Sequence, residues 1–360
     1  MTARRPAPAP LTTDQEALLA AIVEHPDEDT PRLAYADLLD EIGGGSNRGR
    51  AEFIRLQVRL EAGGYDLPNR ETLQAKADRL LKRHRREWEG AVRVEGGKGV
   101  EFRRGFVTDV SATADAFVRA GGRWLDEHPV RCVTLENVRG DIGRLAASPH
   151  LGRVRRLNLV DTFGESDLRG LADGPGAADR FAALETLYVG MSSEGDGFFW
   201  GGASALVAWH MPRLRTLCLT DLRDGDRAAA AVAGAPWFAG LASVHVWMSR
   251  IGDAGLAALL APRTALSDVT LGYSRVSARG LLALADRPAD PPLRNLCLWA
   301  SRIFCEDRPL APKWSLDPDR LSAVLHRHRA LRIDLGQCPI PEGTRAELRE
   351  RFGDRVEIRD

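Results

Sequence analysis

Residues 241–303 repeat one phrase three times: LASVHVWMSRIGDAGLAAL from Leu241, LSDVTLGYSRVSARGLLAL from Leu266 and LRNLCLWASRIF from Leu293. Each copy reads L-x-x-L/V-x-L/V followed by Ser-Arg and Ile or Val, which makes Val244, Val269 and Leu296 equivalent at spacings of 25 and 27 residues. A period of that length marks units of one short strand and one helical return. Such a unit cannot bury its apolar side alone, so neighbours stack into a continuous core. Working outward, VRCVTL (130–135), VRRLNL (154–159), LETLYV (184–189) and LRTLCL (214–219) precede the triplet and ALRIDL (330–335) follows it. The anchors are then Val133, Leu157, Leu187, Leu217, Val244, Val269, Leu296 and Ile333, about eight repeats over 130–340.

This array resembles the leucine-rich repeats, and the longer units with helical returns, such as IGDAGLAALLA (251–261), resemble the ribonuclease-inhibitor-like type. The fold the resemblance implies is an α/β solenoid with parallel strands on a concave face and helical returns on the convex face, preceded by an α-helical N-terminal domain. A helix PEGTRAELRERF and a final strand VEIRD form a C-terminal cap over 341–360.

With 360 residues, 44% hydrophobic and 28% charged, the chain has length for a solenoid and a smaller companion domain. The formal net charge of zero argues against a surface built throughout for nucleic acid or anionic membrane, while leaving room for a local patch. Cys132, Cys218, Cys297, Cys305 and Cys338 are odd in number and contain no C-x-x-C pair, as expected for reduced thiols in the cytoplasm. Residues 1–10 (MTARRPAPAP) read as a disordered lead-in lacking the apolar core of a signal peptide, and no apolar run approaches a membrane span.

Residues 11–90 read as helices. Thr13 and Glu16 carry a capping-box signature, Pro31 opens a second helix, Gly43–Asn47 make a turn, and RAEFIRLQVRLE (50–61) groups Phe53, Leu56 and Leu60. The string DEDTPRLAYADLLDEIGGGSNRGRAEFIRLQVRL resembles the bacterial repeat-companion domain, with Leu38 where that pattern carries its hallmark Trp. The resemblance covers about 14–62 and implies no catalytic group, only that such a domain accompanies a repeat array. Asp27, Glu28 and Asp29, with Asp37, Asp40 and Glu41 nearby, could suggest a metal site, but carboxylates at a helix start and on a solvated face explain them, and no metal is expected. From 91 to 129 the texture turns to β (VRV, VEF, FVTDV) and then to a helix near 113–125, placed to form an N-terminal cap on the repeats.

Candidate sites follow from the repeat offset. In L-x-x-L-x-L the anchors point to the core, so the residues between and after them project from the concave sheet. One projecting row contains Trp247, Gly272 and Trp299, which predicts two indoles about 10 Å apart flanking a slot. His245 and Tyr188 lie in the neighbouring row. Arg250, Arg275 and Arg302 occupy one offset along the rim, where they either face an anionic partner or lay their stems on their own repeats; Asp253 can serve only one of them. On the helix at 70–89, Arg79, Lys82, Arg83 and Arg86 form a basic ridge. That pattern suits nucleic acid or an acidic partner, and equally a solvated helix C-terminus. The stretches 191–211, with Phe198, Phe199 and Trp200, and 304–320 are insertions that cover or extend the binding face.

No catalytic motif, cofactor motif or metal-spaced Cys/His cluster stands out. The expectation is a non-catalytic scaffold or adaptor that binds a protein or peptide on the concave face, within a bacterial multi-protein signalling or defence assembly. The alternative is a nucleic-acid-contacting module using residues 79–86.

Overall fold

The computed structural model describes residues 11–359 apart from Tyr65, 161–164, 191–202, 221–224, 262–263, 290–291, 301–316 and 339. The chain divides between Thr134 and Leu135 into two compact units.

The first unit holds α1 (Thr13–Glu24), α2 (Thr30–Ile42), α3 (Gly45–Ala62), α4 (Arg70–Trp88), α5 (Gly90–Val94), β1 (Gly97–Arg103), β2 (Phe106–Thr113), α6 (Ala114–Glu127) and the start of β3 (Cys132–Glu136). The capping box sits one residue earlier than the sequence suggested: Thr12 accepts from the Gln15 amide and Gln15 closes the box in return. LTTDQE contains two overlapping boxes, and the one used buries Gln15. Residues 91–94 form a helical turn where β was expected, and α3 begins at Gly45 because the left-handed Gly43 and Gly44 complete the turn before it. β1 and β2 pair antiparallel around Arg104–Gly105, both at positive φ, and a Cβ on Gly105 would strike Ile54.

The hairpin and the helices share their cores. Phe106 packs with Ile22, Tyr35 and Ile54, while Phe102 packs against Phe53 and Trp88. Within the PRLAY stretch, buried Arg32 donates to the carbonyls of Glu28 and Pro26 at 2.6 and 2.8 Å. Arg50 lies among Phe53, Trp88, Phe102 and Phe106, 4.8–6.0 Å from the ring centroids.

The second unit is a repeating, solenoid-like α/β arrangement built on a long parallel sheet. Its strands are β4 (Arg156–Val160), β5 (Thr186–Gly190), β6 (Thr216–Thr220), β7 (Ser243–Trp247), β8 (Asp268–Leu271), β9 (Asn295–Cys297), β10 (Arg332–Asp334) and β11 (Val356–Glu357). Between them run α7 (Ile142–Ala146), α8 (Glu165–Ala172), α9 (Ala203–Leu206), α10 (Gly225–Ala233), α11 (Asp253–Leu259), α12 (Ala278–Leu282), α13 (Pro318–Arg327) and α14 (Glu342–Phe352).

Register follows the anchors: Leu157, Leu187, Leu217, Val244, Val269, Leu296, Ile333 and finally Val356 lie side by side across the sheet. All are buried, each contributing about 1.5–3 kcal/mol of apolar transfer.

Three periodic devices join the repeats. Four residues after the anchor, Asn137, Met248, Tyr273, Ala300 and Gln337 all adopt φ between 49 and 55°. The left-handed turn costs a non-glycine residue about 1–2 kcal/mol, and a backbone bond offsets it. The amides of Tyr273, Ala300 and Gln337 donate to the carbonyls of Trp299, Gly336 and Arg359 in the next repeat. Second, Asp226 accepts from the amides of Gly252 and Gly255, and Asp253 from Ser277, each capping the following helix. Third, buried side chains ahead of the strands donate to backbone carbonyls of an earlier repeat. Trp209 Nε1 reaches Leu168 O at 2.9 Å and Trp237 Nε1 reaches Leu206 O at 3.1 Å. His328 Nε2 meets Leu284 O at 2.9 Å.

Candidate functional site

Because side chains alternate along a strand, the sheet presents three rows on the face away from the anchors. The central row runs Asn158, Tyr188, Cys218, His245, Thr270, Cys297 and Asp334 in register. The row beyond it carries Trp247, Gly272, Trp299 and Gly336 at one repeat offset.

The open slot expected between the tryptophans is closed. Trp247 lies flat enough over Gly272 that a Cβ there would run into its six-membered ring, and Trp299 covers Gly336 with its five-membered ring. Glycine supplies no side chain to hold the indoles apart, so they meet edge to face with centroids 5.9 Å apart and planes at 69°. Tyr273 adds a second edge contact to Trp299, at 5.6 Å and 87°. Tyr273 is 50% exposed and Met248 53% exposed, both on the left-handed position one residue past the tryptophan row. The result is a half-exposed cluster of Trp247, Met248, Tyr273 and Trp299. Sequence reasoning placed both tryptophans on it and missed Met248 and Tyr273, although their shared repeat offset was the signal.

His245 is half-buried on β7 with Nδ1 3.0 Å from the Thr270 hydroxyl; burial lowers its pKa, and Asp268 opposes that shift. Tyr188 lies on the same face two strands earlier, its ring folded over Gly190, with Cys218 between it and His245 in the row. Burial pushes the Cys218 thiol up to about 11. The Cys297 thiol is also pushed up to about 11, chiefly by burial and further by Asp334, whose carboxylate its Sγ meets at 3.8 Å. Asp334 in turn faces Arg359 at 3.7 Å, and Arg359 holds Glu357.

At the rim, Arg250 and Arg275 are exposed, and Arg302 lies outside the described residues. Asp253 serves neither arginine: both of its oxygens are taken by Ser277. Ser249 and Ser274, beside the two exposed arginines, are buried, and the Ser249 hydroxyl accepts from the Ile251 amide at 3.4 Å, which fixes the turn.

In the first unit, Arg79, Lys82, Arg83 and Arg86 are all exposed on one side of α4, and none forms an ion pair among the described residues. The opposite side buries Ala77 and Trp88, with His84 stacked on Trp88 at 5.0 Å. The acidic cluster is dispersed into ion pairs: Asp37 and Asp40 both grip Arg55 at 2.6 Å, Asp27 holds Arg131 and Asp29 faces Arg104. Among the described residues no three His, Cys, Asp or Glu side chains gather as a metal site would, and no helix is long and apolar enough to cross a membrane.

In the insertions, Phe198, Phe199 and Trp200 and residues 304–316 lie outside the described residues. No family model matches this chain, and no curated protein matches it.

Proposed function

We propose that the second unit is a leucine-rich repeat array of the ribonuclease-inhibitor-like type, that the first carries a repeat-companion domain, and that the protein is a non-catalytic cytoplasmic scaffold. Its partner, a protein or peptide, docks on the open sheet face at Trp247, Met248, Tyr273 and Trp299, with His245 and Tyr188 as polar neighbours.

The observation that carries this reading is the exposed aromatic cluster itself. Large apolar side chains held half in water on a rigid sheet, in two cases on left-handed backbone, are the residue types and the setting of interface hot spots. The exposed Arg250 and Arg275 beside it suit acidic groups on the partner's edge.

A second reading has its own observation: the four exposed cations on α4 without an anionic partner among the described residues, which suit a phosphate backbone. One experiment separates the two. The full chain is used to capture ligands from native lysate, with protein and nucleic acid both analysed, beside Trp247→Ala, Tyr273→Asn and a variant with Arg79, Lys82, Arg83 and Arg86 all changed to Glu. The scaffold reading expects Trp247→Ala to weaken protein capture by about 2 kcal/mol or more, with only the modest salt dependence of two rim charges. Capture that ignores Trp247 and Tyr273, falls steeply with salt and vanishes in the Glu variant would replace it with the nucleic-acid reading.

A further inference from the structure

The rim beside the aromatic cluster carries positive charge that the described residues do not neutralise. Arg250 and Arg275 stand at one offset past the anchors Val244 and Val269, and Arg227 and Arg279 lie at another, in the first turns of α10 and α12. All four are exposed, and none forms an ion pair among the described residues. Two acids beside them in sequence are engaged elsewhere: Asp226 on the amides of Gly252 and Gly255, Asp253 on Ser277. A Cβ on Gly225 would strike the Arg250 backbone, and one on Gly252 would lie 3.8 Å from Arg275 O. The starts of α10 and α11 thus pack against the turns that carry the two arginines. Equivalent positions one strand spacing apart, about 5 Å, bring two guanidiniums within mutual repulsion, which an anionic group between them relieves.

The apolar half of this surface is adjacent. Met248 and Tyr273, 53% and 50% exposed, each precede one of these arginines by two residues. Two residues of extended chain cover about 7 Å, so a partner segment with a large apolar side chain on Met248 and Tyr273 can bring a nearby carboxylate onto Arg250 and Arg275. The acids of the sheet face lie on its other sides. Asp268, at the start of β8 and away from the tryptophan row, accepts from Asn295 and Ser267. Asp334 on β10 accepts from the Gly336 amide at 2.8 Å and faces Arg359 at 3.7 Å. A long polyphosphate chain crossing the face would run onto these carboxylates, whereas a short segment with its acids at one edge avoids them.

We propose that the partner segment is an acidic peptide: one large apolar residue seats on Met248, Tyr273 and the two tryptophans, and Asp or Glu residues within a few positions of it pair with Arg250 and Arg275, in the field of Arg227 and Arg279. This rests on the protein-docking reading above and adds to it the chemical class of the partner.

The probe is a library of random dodecapeptides displayed on phage and selected on the full chain. The expected enriched sequences carry a large apolar residue with several Asp or Glu close by and few Lys or Arg. The leading peptide, resynthesised with its acids changed to amides, should bind at least about tenfold more weakly, a difference that shrinks in high salt. The double variant Arg250→Glu, Arg275→Glu should lose at least about tenfold for the acidic peptide and prefer a version with Lys in place of the acids, a reversal that misfolding does not produce. Enrichment of neutral or basic sequences, no enrichment, equal binding of the amide version or no reversal would each overturn the proposal. So would an oligothymidylate of the same length that binds more tightly than the peptide and displaces it. Neutral apolar peptides that are lost in Trp247→Ala would remove the acidic class and leave the docking face standing. Selected peptides that bind Trp247→Ala as they bind the wild type would remove the docking face itself.

Discussion

Asp253 accepts two hydrogen bonds from one residue of the next repeat, from the Ser277 amide at 2.7 Å and from its hydroxyl at 2.5 Å. Ser277 in turn accepts from the Arg279 amide at 3.1 Å, so one carboxylate organises the start of the following helix. The approach requires Gly280, where any Cβ would collide with the Asp253 carboxylate. Asp226 and Gly255 repeat the arrangement one unit earlier. Repeat-to-repeat coupling therefore rests on a charged side chain as well as on apolar stacking.

Removing that carboxylate leaves the cap without its acceptor, at about 1–2 kcal/mol. Asp253→Ala is expected to speed amide exchange across 277–282 by roughly tenfold, with Asp253→Asn retaining part of the protection. Unchanged exchange in that segment would show that the carboxylate holds nothing.

Gly272→Ala tests the closed indole pair. The added methyl must push Trp247 off the strand, an overpacking cost of about 1–3 kcal/mol. The φ at Gly272 is not in the left-handed region, so the effect is steric and not conformational. A loss of second-unit stability together with a red shift of tryptophan emission is expected; wild-type emission and stability would mean the ring does not occupy that space in solution.

Acid should loosen the first unit through His128. Burial is the main reason its pKa is lowered to about 3 from an ordinary 6.5, with Arg50 adding to the shift, and neither ring nitrogen has a partner among the described residues. Between those values the unfolded chain binds one more proton than the folded chain. The stability is thus complete above 6.5 and is lost progressively as pH falls toward 3. Comparing urea midpoints at about pH 7.5 and about pH 5, with exchange in α3 as the reporter, His128→Gln should show a shallower decline than the wild type. Parallel declines would rule His128 out as the cause.

Cys218 and Cys297, both pushed up to about 11 against an ordinary 9.0, should be sluggish nucleophiles. At about pH 8 their thiolate fraction is about a hundredfold below that of an ordinary thiol. Site-resolved iodoacetamide labelling should therefore be far slower in the folded chain than in urea, and equal rates would contradict the burial argument.

The sequence by itself determined what depends on period and polarity. The anchors from Leu157 to Ile333 could be counted, their register followed once each was buried, and the outward rows carrying Trp247, Trp299, His245 and Tyr188 came from alternation alone. The exposed ridge on α4 followed from helical spacing in the same way.

Only the tertiary structure decided what depends on which atom of one repeat meets which atom of the next. A glycine opposite a tryptophan reads as a gap, but the ring falls into the space it leaves, and that settled the position of both indoles. Asp253 reads as a partner for a neighbouring arginine in its own turn, but the next helix start lies within its reach and offers two donors. The left-handed turns at Met248 and Tyr273 carry no glycine to announce them; at Tyr273 a hydrogen bond from the amide to Trp299 O in the following repeat offsets the conformational cost that glycine would have avoided. Arg180 and Arg287 each donate from Nε to a carbonyl of an earlier repeat, Ala146 and Leu260, a pairing that chain order hides.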